Sequence, residues 1–370
     1  MEKPVVVAMV VGKYVGGGVE SVVLNYYRFI NKKNVQFDFI FDSDSIDIPY
    51  KEIESLGGKI IICPPYQKIF KYISFLKKLF KEKKYEIVHS HINTLSVFPL
   101  FAAKKAGVPV RIAHSHSTSN KKEWKRNIIK NILRHFSKIY ANVYFACSKE
   151  AAIYQFGKKA FMSGKIHIIN NAIDIDKFKY DEEKRNTIRK ELKISEECLL
   201  IGHVGRFVTV KNHDFILNLF KEVHSQNKKT KLVLVGQGPL FNHISDEIKM
   251  LGLDDSVILT GQRKDINSLY SAMDLFILPS LYEGLGLALI EAQASGLKCI
   301  ASTMVPQEAN VGNLVEYIPL EEKELWKREL TNCKADRVLC DNIIIKNGYD
   351  IKTEAKKLEN YYIRSTNKKR

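Results

Sequence analysis

The chain has 370 residues, enough for about two domains, and its 45% hydrophobic and 27% charged content is that of an ordinary globular protein. No apolar run reaches the roughly 18 residues of a membrane span, so no transmembrane helix is expected; six scattered cysteines without a Cys-x2-Cys pair argue against zinc and redox motifs and for a reducing compartment. A net charge of +17 and a pI near 9.4 call for an acidic partner, and without a zinc finger, an RNP-like aromatic signature or a defensible helix-turn-helix, nucleic acid falls behind anionic membranes and phosphorylated ligands.

Val5–Val11 reads as a first strand rather than a signal peptide, because it lacks an Ala-x-Ala-like site and runs into a glycine loop. That loop, Gly16-Gly17-Gly18-Val19-Glu20, precedes a predicted helix, Ser21–Ile30. It is neither Gly-x-Gly-x-x-Gly nor a Walker motif. Its backbone either approaches a ligand closely or simply makes a tight turn. Further strands are expected at Gln36–Phe41, Lys59–Cys63, Ile87–His89, Val110–His114, Tyr144–Ala146 and Ile166–Ile169.

Two basic amphipathic stretches interrupt this series. One is Lys68 to Lys84; the other runs from Lys121 to Phe136. Each suits an anionic leaflet, apolar face down, or a helix that covers the sheet with its basic face solvated. His89 and His91 close one strand, and His114 and His116 the next. Metal binding, hydrogen bonding to a ligand and structural roles all remain open for these four.

The charged stretch Asp174 to Ser195 is the expected boundary, and a second strand series follows: Leu199–Val204, Lys231–Val235, Val257–Thr260, Leu275–Leu278 and Cys299–Ala301. Strands alternating with helical segments predict two doubly wound parallel sheets. Arg206 and Lys211 follow the first strand of this series, placed to neutralise a diphosphate or to be solvated surface cations. Gly236-Gln237-Gly238 is a weak motif that ends a strand.

The most informative stretch is Pro279 to Ala292. A buried strand, a glycine turn and a helix from Leu287 to Ala294 make an anion pocket, since free N–H groups and the helix dipole both favour phosphate. Glu283 lies in the turn and Glu291 about two turns into the helix. A carboxylate on each side of a phosphate pocket suits a nucleotide sugar, with hydroxyls at both ends of a diphosphate; the bland alternative is a helix cap and a solvated glutamate. No Gly-x-Ser-x-Gly elbow is present, so a hydrolase triad is unsupported.

Taken in order, the Gly17-Gly18-Val19-Glu20 loop, the His114 strand end, Ala146-Cys147-Ser148, Asn170-Asn171-Ala172-Ile173-Asp174, Gly205-Arg206 with Lys211, Gly236-Gln237-Gly238-Pro239, and Leu259-Thr260-Gly261 through Glu291 resemble the retaining glycosyltransferases of family 4 over nearly the whole chain. The flavour is that of capsular or exopolysaccharide enzymes. The resemblance implies the α/β GT-B fold: two Rossmann-like domains facing across a cleft, residues 1–175 for the acceptor and 176–351 for the nucleotide sugar, with a C-terminal helix at about 352–370 returning to the first.

It also implies roles. Arg206 and Lys211 would bind the donor diphosphate, Glu283 the sugar hydroxyls, and the amides of Gly286, Leu287 and Ala288 the phosphate. Glu291 would hold the ribose, and backbone near Gln262 and Arg263 the base. His114, or His116 close by, would hydrogen-bond the donor sugar, with Gly17 and Gly18 facing the phosphate or acceptor. The implied activity needs no metal or other cofactor. It moves a sugar from a UDP-sugar to a polyprenyl-diphosphate-linked saccharide, at the cytoplasmic face of the plasma membrane, for surface glycan synthesis. A small soluble acceptor and a GT-B epimerase are the alternatives. Two departures leave the donor open: Asn170-Asn171-Ala172 stands where Asn-Gly is usual, and Thr303-Met304-Val305-Pro306 replaces a glycine pair.

Overall fold

The run of valines at the amino terminus forms a strand buried on both faces, β1 (Val5–Gly12), at the centre of a parallel sheet. In this computed structural model, which describes residues 3–116, 132–134, 136, 138–333 and 336–367, the sheet continues with β2 (Val35–Asp42), β3 (Lys59–Cys63), β4 (Ile87–Ser90), β5 (Val110–Ser115), β6 (Val143–Ala146) and β7 (Ile166–Ile168). The spatial order is β3-β2-β1-β4-β5-β6-β7. The order reverses between β1 and β4, and such a switch point opens a crevice at the carboxyl ends of the strands.

A second parallel sheet has the order β10-β9-β8-β11-β12-β13, from β8 (Leu199–Val204), β9 (Thr230–Val235), β10 (Val257–Gly261), β11 (Leu275–Leu278), β12 (Lys298–Ser302) and β13 (Val315–Ile318). Its switch point lies between β8 and β11. The chain separates into one unit of Met1–Ala172 with Ile351–Arg370 and another of Ile173–Asp350. The returning helix, Ile351–Asn367, packs on the helix Gly18–Phe29 and on β1 and β2 of the first unit. Glu359 anchors it, accepting from the backbone N–H of Asn31 at 3.0 Å and from Asn34 Nδ2 at 2.9 Å.

Two details differ from the expectations. The first helix begins at Gly18 rather than Ser21, because Glu20 turns back and its Oε1 accepts the Val15 N–H at 3.1 Å, closing the loop inside the first turn. The edge strand β13 was not expected: Val315, Tyr317 and Ile318 suit a strand, but the run is only four residues long, is interrupted by Glu316 and buries only Ile318.

The charged stretch Asp174–Ser195, expected as the boundary, holds ordered helix. Its helix Glu182–Glu191 is tied into the second unit by Arg189 and Arg185, which contact the two oxygens of buried Asp274 at 3.1 and 2.8 Å. The basic stretch at Lys68–Lys84 forms the helix Ile69–Lys83, whose stripe Tyr72, Leu76 and Phe80 is buried in the core of its own unit. Burial of each such side chain stabilises by about 1.5–3 kcal/mol, so this face covers the sheet, while the lysines face solvent together with Phe70, Ser74 and Glu82. The second basic stretch, Lys121–Phe136, lies outside the described residues except for 132–134 and 136.

Candidate active site

Beyond the carboxyl ends of β8 and β11 two loops are tied to each other. The Leu281 N–H donates to the Val210 carbonyl at 2.8 Å, and Asn212 Nδ2 to the Pro279 carbonyl at 3.1 Å. This closure brings together two residues singled out from the sequence: Lys211 Nζ lies 2.5 Å from Glu283 Oε1. Ser280 Oγ donates to the same oxygen at 2.7 Å. The side chains of Lys211 and Glu283 are 16% and 12% exposed, so the pair is shielded yet still reachable from solvent. Arg206, on the same loop as Lys211, is exposed and has no ion pair among the described residues.

Gly236-Gln237-Gly238 follows the end of β9, as expected, and is also a packing device. A Cβ on Gly236 would stand 2.0 Å from the Gly205 carbonyl oxygen, and one on Gly238 2.5 Å from that of Phe207. Two side-chain-free positions let this loop press on the Arg206 loop and set its course.

The helix Leu287–Ala294 starts from Gly286, which sits at a φ of 86° and offers no side chain to cap the first turn. The amides of Leu287 and Ala288 therefore open the helix uncapped, at the positive end of its dipole, as an anion pocket requires. Glu291 is the fifth residue of this helix, one turn in rather than two. Burial pushes its carboxyl up to about 7, although the Tyr270 hydroxyl at 3.0 Å and Lys177 pull the other way. Near neutrality it is thus part acid and part carboxylate, and it can both donate to and accept from a hydroxyl.

Gln262 is exposed after β10. The guanidinium of Arg263 is engaged, 2.6 Å from Glu191 and 2.7 Å from Asp265. That leaves the backbone of this corner and the Gln262 side chain for a ligand.

In the first unit the parallel register Ser90↔Ala113 sets His91 level with His114. The two His-x-His pairs therefore converge into one buried cluster, which the sequence reading kept apart on separate strands. His89 Nδ1 is 2.7 Å from the Tyr362 hydroxyl of the returning helix, and His89 Nε2 is 3.1 Å from His114 Nδ1. His91 Nδ1 is 2.9 Å from His116 Nε2, and the His116 N–H donates to Asn93 Oδ1 at 2.7 Å. Asn171 lies against His116.

Burial holds all four rings neutral. It drives His89, His91 and His114 well below the usual histidine range and His116 to about 4. Among the described residues the Nε2 of His114, the Nε2 of His91 and the Nδ1 of His116 have no hydrogen-bond partner. One nitrogen of each of His89, His91 and His114 lies within 4.8 Å of the others, a spacing that suits a cation. Both His89 nitrogens are already in hydrogen bonds, and among the described residues no carboxylate joins the trio. The arrangement therefore favours hydrogen bonding over ligation.

Gly17 and Gly18 stand at the start of the first helix, beyond β1 on the same switch point. Neither has the positive φ that demands glycine; Gly16 does, at 70°. A Cβ on Gly18 would meet open space, whereas one on Gly17 would lie 2.8 Å from Glu20 Oε2.

Comparison with known proteins bears on both units. The family model described as "Glycosyltransferase Family 4" matches residues 16–177, and that described as "Glycosyl transferases group 1" matches residues 184–324. The chain is 33% identical over 363 residues to EpsF of Bacillus subtilis (strain 168), whose own glycosyltransferase assignment is provisional; 95% of this chain and 94% of EpsF are covered. It is 30% identical over 314 residues to the Escherichia coli UDP-Gal:alpha-D-GlcNAc-diphosphoundecaprenol alpha-1,3-galactosyltransferase, with 80% of each covered. Among solved structures, HepE of Anabaena, determined with UDP and glucose, superposes with a TM-score of 0.77 at 16% identity over 95% of this chain and 98% of its own.

Proposed function

Since the chain belongs to the family 4 glycosyltransferases, with their GT-B fold, we propose that it transfers a sugar from a UDP-sugar to a saccharide carried on a polyprenyl diphosphate, with retention and without a metal. The observation that carries this reading is the Lys211–Glu283 pair set beside the uncapped amides of Leu287 and Ala288. A cation and a helix N-terminus serve the diphosphate, and a carboxylate fixed next to them serves the hydroxyls of the sugar it carries.

In the proposed reaction the bond between the anomeric carbon and the β-phosphate oxygen breaks. The charge gathering on UDP is met by Arg206, Lys211 and the two amides. The acceptor hydroxyl adds to the face from which UDP leaves, and its proton passes to the departing phosphate oxygen. Glu283 acts as a positioner: Oε1 already accepts from Lys211 and Ser280, which blunts it as a nucleophile, unlike the carboxylate of a retaining glycosidase. Glu291 takes the ribose, the backbone at Gln262 and Arg263 the base, and His114 the donor sugar. Gly17 and Gly18 leave room for phosphate or acceptor.

The lipid-linked acceptor is favoured by the activity named for the Escherichia coli relative and by the net charge of +17. No described helix is long and apolar enough to cross a membrane. The proposed attachment is peripheral and electrostatic, at the cytoplasmic leaflet, through lysines such as those solvated on the helix Ile69–Lys83. The test is UDP release from a panel of UDP-sugars, with undecaprenyl-diphosphate-linked GlcNAc or with soluble saccharides as acceptor. Release that depends on the lipid acceptor supports the reading. Release with soluble saccharides alone moves it to a soluble acceptor, and interconversion of UDP-sugars without transfer would make the protein an epimerase.

A further inference from the structure

The His89–His114 contact joins two neutral rings, each with one N–H, so its direction has to be set from one end. Tyr362 sets it. The phenol is fully buried, and burial holds it protonated. Its one partner among the described residues is His89 Nδ1, at 2.7 Å.

If His89 Nδ1 carried the hydrogen, the phenol hydrogen would be stranded without an acceptor in the core, and buried donors are costly to strand. The phenol therefore donates to His89 Nδ1. His89 then carries its hydrogen on Nε2 and donates it to His114 Nδ1, 3.1 Å away. His114 is left with its hydrogen on Nε2, the nitrogen that has no partner among the described residues. This assignment strands a single group, His114 Nε2–H; the reverse strands the phenol hydrogen and leaves His114 Nε2 unmatched as well. At the neighbouring His91–His116 pair both outer nitrogens, His91 Nε2 and His116 Nδ1, lie without a hydrogen-bond partner among the described residues, so nothing comparable fixes it.

We infer that Tyr362 and His89 are positioning residues that fix His114 as a hydrogen-bond donor, so that a ligand meets His114 through an oxygen acceptor and His114 takes no proton. The helix that supplies Tyr362 returns from the far end of the chain, 273 residues beyond His89. It is thereby built into the polarity of the site as well as into the packing of the first unit. The consequence for transfer rests on the proposed contact of His114 with the donor sugar; the direction of the relay does not.

The test is long-range 1H–15N correlation of histidine side chains in the full-length protein, with His114→Gln used to assign the His114 signals. The wild type is expected to show His114 neutral with its hydrogen on Nε2. In Tyr362→Phe, which keeps the ring and loses the hydroxyl, His114 should become a mixture of tautomers. The kcat for transfer should fall about fivefold to tenfold, as for loss of one directing hydrogen bond, with the KM for donor changed less. A wild-type His114 with its hydrogen on Nδ1 or with both nitrogens protonated overturns the inference, and so does a tautomer unmoved by Tyr362→Phe. If the tautomers behave as expected while His114→Gln transfers at the wild-type rate, the relay stands and the proposed contact with the donor sugar fails instead.

Discussion

The Lys211 ammonium and Oε1 of Glu283 stand 2.5 Å apart, joined across 72 residues by loops that leave neighbouring strands of one sheet. The pair is mostly shielded, so each partner holds the geometry of the other, and Ser280 adds a third member. Substitutions here should therefore not act independently. Lys211→Ala is expected to cost about 2–4 kcal/mol of transition-state stabilisation, with a similar loss for Arg206→Ala. Glu283→Gln should lower transfer while Tm stays near that of the wild type. In a double-mutant cycle on kcat/KM, Lys211→Ala with Glu283→Gln should show a coupling of about 0.5–3 kcal/mol. Strict additivity would mean that the two act on separate features of the substrate.

Glu291 should report itself through pH. Its carboxyl lies near 4.5 when exposed and is raised to about 7 in the folded protein, chiefly by burial. Between these values the folded state holds a proton that the unfolded chain has released, so stability falls as pH rises from about 4.5 to 7 and stays lowered above. Glu291→Gln removes that proton uptake. The unfolding free energy of the variant relative to wild type, followed by urea denaturation, should therefore climb between pH 5 and pH 8, on the order of 1–3 kcal/mol in all. A constant offset across this range would show that Glu291 ionises as an ordinary surface glutamate.

The buried histidines act with the opposite sign. His89, His91, His114 and His203 are held well below the usual range, and His116 and His213 at about 4, in each case first by burial. Below about pH 6.5 the unfolded chain takes up protons that these rings refuse, so stability falls on acidification. A steep loss of Tm between about pH 6.5 and 4 is expected in differential scanning fluorimetry at fixed ionic strength. A Tm that holds level down to pH 5 would mean that the clusters accept protons without unfolding.

The two doubly wound sheets were legible because parallel strands covered on both faces read as continuous apolar runs, as Val5–Val11 and Leu275–Leu278 do. Lys211 and Glu283 were legible for a related reason: each closes such a run, and doubly wound topology gathers strand ends at the switch point. What stayed hidden depends on which strands become neighbours. The two His-x-His pairs look separate until β4 lies beside β5, and Tyr362 joins them only because a helix from the chain's end returns to the first unit. Ser280 and Tyr270 carry no motif of their own, and their contacts with Glu283 and Glu291 appear only in three dimensions. The stretch Asp174–Ser195 was read only as the boundary. Its charges resemble a solvated linker, whereas Arg189 is 1% exposed, with Asp274 as its buried counter-ion.

That buried ion pair gives the sharpest test of where the second unit begins. Asp274 accepts from Arg189 Nη1 and also from the Leu200 N–H, at 2.7 Å, so one carboxylate holds the helix Glu182–Glu191 against the start of β8. Removing one partner of a buried pair leaves the other charge uncompensated, which typically costs about 3–5 kcal/mol. Asp274→Ala should lose stability on that scale by urea denaturation, and Arg189→Met less, because Arg185 still pairs with Asp274 at 2.8 Å and methionine keeps much of the side-chain volume. A fragment that starts at Ile173 should keep the pair, whereas one that starts at Ser195 should lose Arg189 and fold poorly. Equal stability of the two fragments would return the charged stretch to the status of a linker.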